Sequence, residues 1–211
     1  MLSIIKLSPR SSKPLKVFTP TDLLWALIGL ILTIGGTFLE AFVTTAPWHW
    51  AQHGLQAQSV GVTLQVGAVL LISCLGGRNA AMMSQIAYLI LGLTWFHVFT
   101  EGGGPTYIYR PSFGYLLGFV PGAWICGTLA FRVPSQLESL AFSCLCGLVT
   151  IHLTGITYLL LATQVFQWVD ETSSSVMELL MTYSVTPIPG QLVVLCAVTV
   201  IVFLIRPLLL Y

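Results

Sequence analysis

Residues 64–93 read LQVGAVLLISCLGGRNAAMMSQIAYLILGL. Two apolar runs are separated here by GGRN, a glycine pair followed by a cation and an amide. Glycine accepts backbone angles closed to other residues, and a short polar insert cannot remain in hydrocarbon unpaired, so the tetrapeptide reads as a tight turn between two membrane spans. The preceding run extends from about Val60 to Leu75 and the following one from about Ala80 to Phe99.

Windows of about 20 apolar residues, bounded by charges, prolines and glycine clusters, recur on both sides of this pair. They fall at about Leu23–Val43, Gly114–Phe131, Leu137–Ala162 and Gly190–Ile205, which makes six spans in all. The expected fold is therefore an all-α polytopic membrane protein, six transmembrane helices in one bundle. It is divided into a basic N-terminal segment, residues 1–21, and a transmembrane domain, residues 22–211. Composition agrees: 56% of the 211 residues are hydrophobic and 7% charged, whereas a soluble domain carries roughly a quarter. A net charge of +1 without a basic stripe excludes nucleic acid as a partner. The first apolar run is too long for a signal peptide and lacks a small-residue cleavage site, so it reads as a retained helix. TAPWHWAQHGLQAQ (45–58) reads as a small interfacial segment. Val176, Leu179, Leu180 and Tyr183 recur at helical spacing, as in a short amphipathic helix lying on the membrane or capping the bundle.

Cations collect on cytoplasmic loops, so their placement tests the count. With the N-terminus inside, Lys6, Arg10, Lys13, Lys16, Arg78, Arg132 and Arg206 are all cytoplasmic, and both termini face the cytoplasm; Arg110 is the exception among the eight cations. It stands in EGGGPTYIYRPSFGYLLGF (101–119), on the outer face. A guanidinium near hydrocarbon needs an anionic partner, and a carboxylate matches its fork best. Glu101, a lipid phosphate and the carboxylate of a ligand are the alternatives. Gly102, Gly103 and Gly104 allow the loop to fold closely and expose its amides, and Tyr107, Tyr109 and Tyr115 supply the mixture of ring and hydroxyl found in small-molecule pockets.

Nucleophilic and metal chemistry find no support in the sequence. His49, His53, His97 and His152 lack partners at helical spacing, with His97 and His152 read as bundle-facing hydrogen-bonding residues. Cys74, Cys126, Cys144, Cys146 and Cys196 all lie in apolar runs, where cysteine packs as a small hydrophobe; no catalytic residue, metal or cofactor is assigned. Glu40, at the outer end of the first span, is the membrane-edge acid that could pair with Arg110 or carry a proton.

Four stretches together resemble the BioY family, the biotin-binding S components of energy-coupling-factor (ECF) vitamin transporters. RPSFGYLLGF is similar to the family's P-[TS]-x-G-Y-L-x-G-F, and VGVTLQ to its V-P-x-T-x-Q, with Gly61 replacing proline and Thr63 and Gln65 retained. LGGRNAAMMSQIAYLILGL resembles L-G-x-x-x-G-x-x-x-x-x-x-Y-L-x-x-G, with Ala80 or Ala81 where glycine is usual, and PIPG, one residue shorter, corresponds to P-x-x-P-G. The family's P-G-D-x-x-K pair is replaced here by Gln191 and Val194.

The resemblance implies a multi-pass protein of a prokaryotic plasma membrane that captures biotin from outside. Arg110 would receive the valerate carboxylate, and Gln191, Tyr115 or Tyr109 the ureido group, with Gly103, Gly104 and Gln65 completing the substrate site. It further implies an ECF transmembrane T subunit with ATPase subunits as partners, docked on small residues of the first helix; Ala26, Gly29, Gly35 and Gly36 are the candidates, without the family's A-x-x-x-A spacing. An S component for another small vitamin, or a polytopic membrane enzyme, is the alternative reading.

Overall fold

The computed structural model describes residues 19–45, 48, 50, 54, 56–94, 96–165 and 175–209. Nearly all of the basic segment 1–21, with Lys6, Arg10, Lys13 and Lys16, lies outside the described residues, as do His49, His53 and most of the 45–58 stretch between Ala46 and Leu55.

Helix α1 (Pro20–Phe38) begins where the sequence supplies its start signals. Thr19 and Asp22 form a reciprocal capping box, at 3.0 and 3.2 Å, with Pro20 in the first turn. Its small and hydroxyl residues, Ala26, Gly29, Thr33, Gly36 and Thr37, form one buried stripe. A Cβ at Gly29 would meet Ile72 and Ser84 at 2.6–3.0 Å, and at Gly36 the Leu64–Gln65 backbone at 3.0 Å. Three of the four expected docking residues are thus consumed in packing within the molecule. Gly35 alone faces open space.

The first span does not run to Val43, nor does the second start at Val60. After Phe38 the chain forms a two-stranded antiparallel ribbon, β1 (Glu40–Thr44) with β2 (Ala57–Thr63). Phe42, Val43, Thr44, Val60, Val62 and Thr63 are the β-branched and aromatic types that favour extended backbone. The pairing slips between Glu40↔Thr63 and Phe42↔Ser59, leaving extra residues on β2 where Gly61 adopts φ 73°.

Helix α2 (Gln65–Leu93) contains the decisive GGRN. Gly77 has φ 78° and ψ 174°, which breaks the helix into 65–76 and 78–93. Nε2 of Gln65 donates to the Tyr88 hydroxyl at 2.9 Å. Twenty-three residues of unbroken helix would hold these groups about 35 Å apart, so the halves run antiparallel. The Tyr88 hydroxyl also contacts Thr37 Oγ1 (3.2 Å) and donates to the Val98 carbonyl (2.9 Å), tying α1, both halves of α2 and the next loop together. The third span stops at Leu93 instead of Phe99 because Phe99 folds back with its ring on Gly92, where a Cβ would stand 2.1 Å from it. His97 is exposed in this loop, not bundle-facing.

Helices α3 (Phe113–Ala130) and α4 (Leu137–Gln164) follow, then the short α5 (Val176–Leu180). Instead of capping the bundle as a separate helix, α5 passes through a π-helical turn (Met181–Val185) towards α6 (Ile188–Leu209). Helix α2 is the central element, packed on α1, α3 and α6, while α4 packs on α3 and α6. Among the described residues five helical segments are long and apolar enough to cross a membrane, the last being Val176–Leu209; α2 is the one that doubles back. Charge is sorted by end. Asp22, Arg78 and Arg132 line a cavity of about 290 Å³ at the GGRN turn, with Arg206 nearby over the Phe131 ring at 4.5 Å. Glu40, Glu101 and Arg110 stand at the opposite, tyrosine-rich end.

Candidate functional site

At that end, α2, α3, α4, α6 and the 100–112 loop enclose a cavity of about 200 Å³. Its polar lining includes Gln65, Glu101, Tyr107, Ser112, Tyr115, Tyr183 and Gln191, while Val66, Leu116, Phe119 and Ile151 close the apolar side.

Two side-chain pairs organise the wall. His152 of α4, 8% exposed, lies 2.7 Å through Nε2 from Gln191 Oε1 at the start of α6. An amide oxygen only accepts, so the proton sits on Nε2 and the amide NH₂ is the group Gln191 can offer to a ligand. The His152 Nδ1 is buried without a hydrogen-bond partner among the described residues. Tyr115 packs edge-on to the His152 ring at 5.8 Å, stacks on Tyr183 at 6.1 Å and hydrogen-bonds Ser184 through its hydroxyl. The π-helical turn thereby carries two residues onto the site.

The entrance is built by a 3₁₀ turn, Pro105–Tyr109. With three residues per turn, Tyr107 and Arg110 share a face and Tyr109 points elsewhere. Tyr107 is buried against Phe99, ring centroids 4.7 Å apart, with its hydroxyl 3.1 Å from Ser112 Oγ. Burial pushes the Tyr107 phenol above its ordinary value, against the opposing pull of the Ser112 hydrogen bond, so it remains a neutral donor. Tyr109 is 54% exposed and does not line the cavity.

Arg110 is exposed at the rim, outside the cavity lining but close enough to act electrostatically on Tyr107 and Tyr183. Its backbone joins two elements: the amide donates to Tyr107 (3.0 Å) and the carbonyl accepts from Phe113 (3.1 Å). Of the expected counter-ions, Glu101 accepts from the Tyr183 hydroxyl at 3.4 Å, and Glu40 from Ser59 at 3.1 Å.

The glycines let the loop fold closely, as expected, but against α2 and not around the cavity. The Gly104 amide donates to the Gly92 carbonyl at 2.8 Å, and a Cβ on Gly103 would stand 2.6 Å from the Phe96 carbonyl. They press the loop onto the end of α2. Thus Gln65, Tyr115 and Gln191 are brought together, Arg110 borders them, and Tyr109, Gly103 and Gly104 stay outside. His152, Ser112, Tyr183 and Ser184 were missed as site residues, although His152 is the bundle-facing hydrogen-bonding residue expected, Ser112 fills the [TS] position of the quoted motif and Tyr183 shares helical spacing with Leu179 and Leu180. The Val194 side chain is turned from the cavity towards Gly67, where a Cβ would meet it at 2.6 Å.

A sequence model of the BioY family matches residues 16–210. The chain is 40% identical over 117 residues to a "Probable biotin transporter BioY" of Lysinibacillus sphaericus, covering 54% of this chain and 58% of that protein. It is 32% identical over 150 residues to an uncharacterized 21.2 kDa protein of Cyanophora paradoxa, covering 71% and 76%. Its fold matches the crystal structure of the S-component for biotin from an ECF-type ABC transporter with a TM-score of 0.65, at 19% identity and over 90% of this chain and 95% of that one. The match to nearly the whole chain, and a fold shared with little sequence identity, lead to one assignment: the chain belongs to the BioY family.

Proposed function

We propose that the protein is a biotin-binding S component, a multi-pass membrane protein whose ligand occupies the cavity between α2, α3, α4 and α6. The observation that carries this reading is the convergence of Tyr115, Gln191 and Tyr107 on one enclosed space with a guanidinium at its mouth. Biotin has the complementary chemistry: a cyclic urea needing donors and acceptors, an apolar ring and chain, and a terminal carboxylate. The Gln191 amide would donate to the urea oxygen, Tyr115 would flank the ring, and Arg110 would swing over the rim to hold the carboxylate. Leaving the urea unpaired inside would cost about 1–3 kcal/mol, so Gln191 contributes to selection as well as affinity.

Helix α6 lacks the acid and lysine usual in the family. The His152–Gln191 pair supports a different solution, in which His152 of α4 holds the Gln191 amide from behind the cavity wall. The space of about 200 Å³ is smaller than the roughly 300–1,000 Å³ of ordinary ligand sites. Binding therefore widens it, and the π-helical turn carrying Tyr183 and Ser184 is the wall placed to move.

The two halves of α2 would cross the membrane separately, giving six crossings. The Arg78, Arg132 and Arg206 end would then be cytoplasmic by charge bias, with both termini on that side. Energy for release inside would come from an ECF T subunit and its ATPases, with α1 contributing Gly35 and its exposed leucines to docking. Titration of the purified chain in detergent with labelled biotin tests the reading: submicromolar binding lost in Arg110→Ala supports it. Wild-type protein that binds no biotin at micromolar concentration, or an Arg110→Ala variant that binds equally well, refutes the site.

A further inference from the structure

Three of the five cysteines meet. Cys74 of α2, Cys126 of α3 and Cys144 of α4 are each 0% exposed, with Cys74 Sγ 3.6 Å from Cys144 Sγ and 3.7 Å from Cys126 Sγ; all three sulfurs lie within 4.8 Å of one another. Cys146 and Cys196, half-buried and exposed, stand apart. Sequence spacing could not show this, since the three residues come from three helices.

Two features around the sulfurs exceed what packing of small hydrophobes requires. Arg206 of α6 is 8% exposed, its Nη1 is buried without a hydrogen-bond partner among the described residues, and its charge acts on Cys74. A buried guanidinium lacking an acceptor is costly unless negative charge is nearby. Thr199 of the same helix interacts with Cys144. A solvent-filled space also comes near in the chain. The cavity of about 290 Å³ at the arginine end is lined by Gly76 and Gly77, two and three residues after Cys74, and by Gly127, adjacent to Cys126.

We propose that Cys74, Cys126 and Cys144 form a three-thiolate site for a thiophilic divalent cation of the zinc class, which fastens α2, α3 and α4 together. A tetrahedral centre with Zn–S bonds of about 2.3 Å has S···S edges of about 3.8 Å, close to the two short separations here. Soft sulfur ligands select zinc or monovalent copper over the hard, oxygen-seeking cations. Charge decides between those two. On binding, each S–H bond is replaced by an S–metal bond and one proton passes to water, three in all. Three thiolates around a dication leave one negative charge, which Arg206 neutralises; around a monocation they would leave one uncompensated in a low-dielectric interior. The fourth position falls to water or the Thr199 hydroxyl.

The test uses the full chain, untagged, in detergent, reduced and stripped with chelator. Zn²⁺ should bind at one equivalent per chain against a chromophoric competitor, and Co²⁺ should give thiolate-to-metal charge-transfer absorption. Cys126→Ala should weaken Zn²⁺ by more than the roughly 100-fold that loss of an outer-shell partner reaches, and Arg206→Gln by about tenfold or more. Cys146→Ala and Cys196→Ala should bind as wild type. Thermal unfolding in the same detergent shows that each variant is folded, and added Zn²⁺ should raise the midpoint of wild type but not of Cys126→Ala. No Zn²⁺ uptake, equal uptake by Cys126→Ala, or occupation by Cu⁺ and not Zn²⁺ overturns the assignment.

Discussion

The molecule has a large apolar recess and a smaller one with polar groups in its wall, and the ligand site proposed above is the smaller. A groove of about 590 Å³ runs between α1, the β1–β2 ribbon and α6, lined by Ile31, Leu32, Leu71, Val193, Val194 and Ile201 among others. The cavity at Tyr115 and Gln191 is about a third of that size. In water the groove would be the obvious place for a ligand. In a bilayer, lipid tails are as apolar as its walls, so filling it with hydrocarbon gains little. A converging set of polar groups is costly to maintain in that medium, and its presence signals selection for something other than packing.

The largest effect expected from this contrast separates wall from void. Around the polar cavity, α3 and α4 cross in backbone contact: a Cβ on Gly118 would stand 2.7 Å from the Ile151 carbonyl and 3.0 Å from its Cα. Gly118→Val therefore forces the helices apart and should destabilise the protein by more than about 3 kcal/mol, or prevent folding, by thermal unfolding in detergent. Stability unchanged within the error of that measurement would show that the crossing is looser than the geometry states. Next in size is Arg110→Ala. A charge-assisted pair with a carboxylate is worth about 1.5–3 kcal/mol, so labelled biotin should bind about 10- to 150-fold more weakly, while stability, with Arg110 exposed, should hardly change. Arg110→Lys should recover only part of the loss, because an ammonium cannot form the two parallel bonds.

Much of the fold was legible because hydrophobic length and charge bias act along the chain. The GGRN turn was readable from four residues, and the antiparallel halves of α2 follow from it. The ribbon was not. Leu39–Val43 is apolar enough to pass for helix, and its extended form depends on pairing with residues 57–63, a contact that hydropathy does not encode. The site divides in the same way. Gln65, Tyr115 and Gln191 came from motif spacing, and Arg110 from its place against the charge bias. Tyr109 was preferred to Tyr107 because which of two alternate tyrosines enters the core depends on a 3₁₀ turn of five residues. His152 was invisible as a site residue, since its partner lies 39 positions away on another helix. The close folding of the glycine loop was legible, but its target was not: Gly103 and Gly104 approach the end of α2, and the sequence shows that glycine is needed without showing what comes near.

The contrast sharpens further with the His152–Gln191 pair. Gln191→Leu removes one partner and leaves the His152 N–H buried, at about 1–3 kcal/mol of stability, and should weaken biotin binding about tenfold. Adding His152→Phe removes the orphaned donor, so the double variant should regain most of the stability but none of the affinity. Recovery of both would mean that the pair only packs, and that the urea is recognised elsewhere.

The smallest expected effect belongs to the groove. A Cβ at Gly35 would meet nothing within 4 Å, and the residue lies on the lining of the large recess. Gly35→Leu places a branched side chain there, improves helix propensity by up to about 1 kcal/mol, and touches none of the polar cavity. Biotin affinity measured in detergent should stay within about twofold of wild type. A loss comparable to that of Arg110→Ala would reverse the ranking of the two recesses, because only a ligand seated between α1 and α6 could feel that side chain so strongly. Uptake in cells is a separate readout: Gly35 is the one small residue of α1 left on the outside of the bundle, so a variant that binds biotin normally but fails to transport it would assign this face to the energising partner and keep the cavity as the binding site.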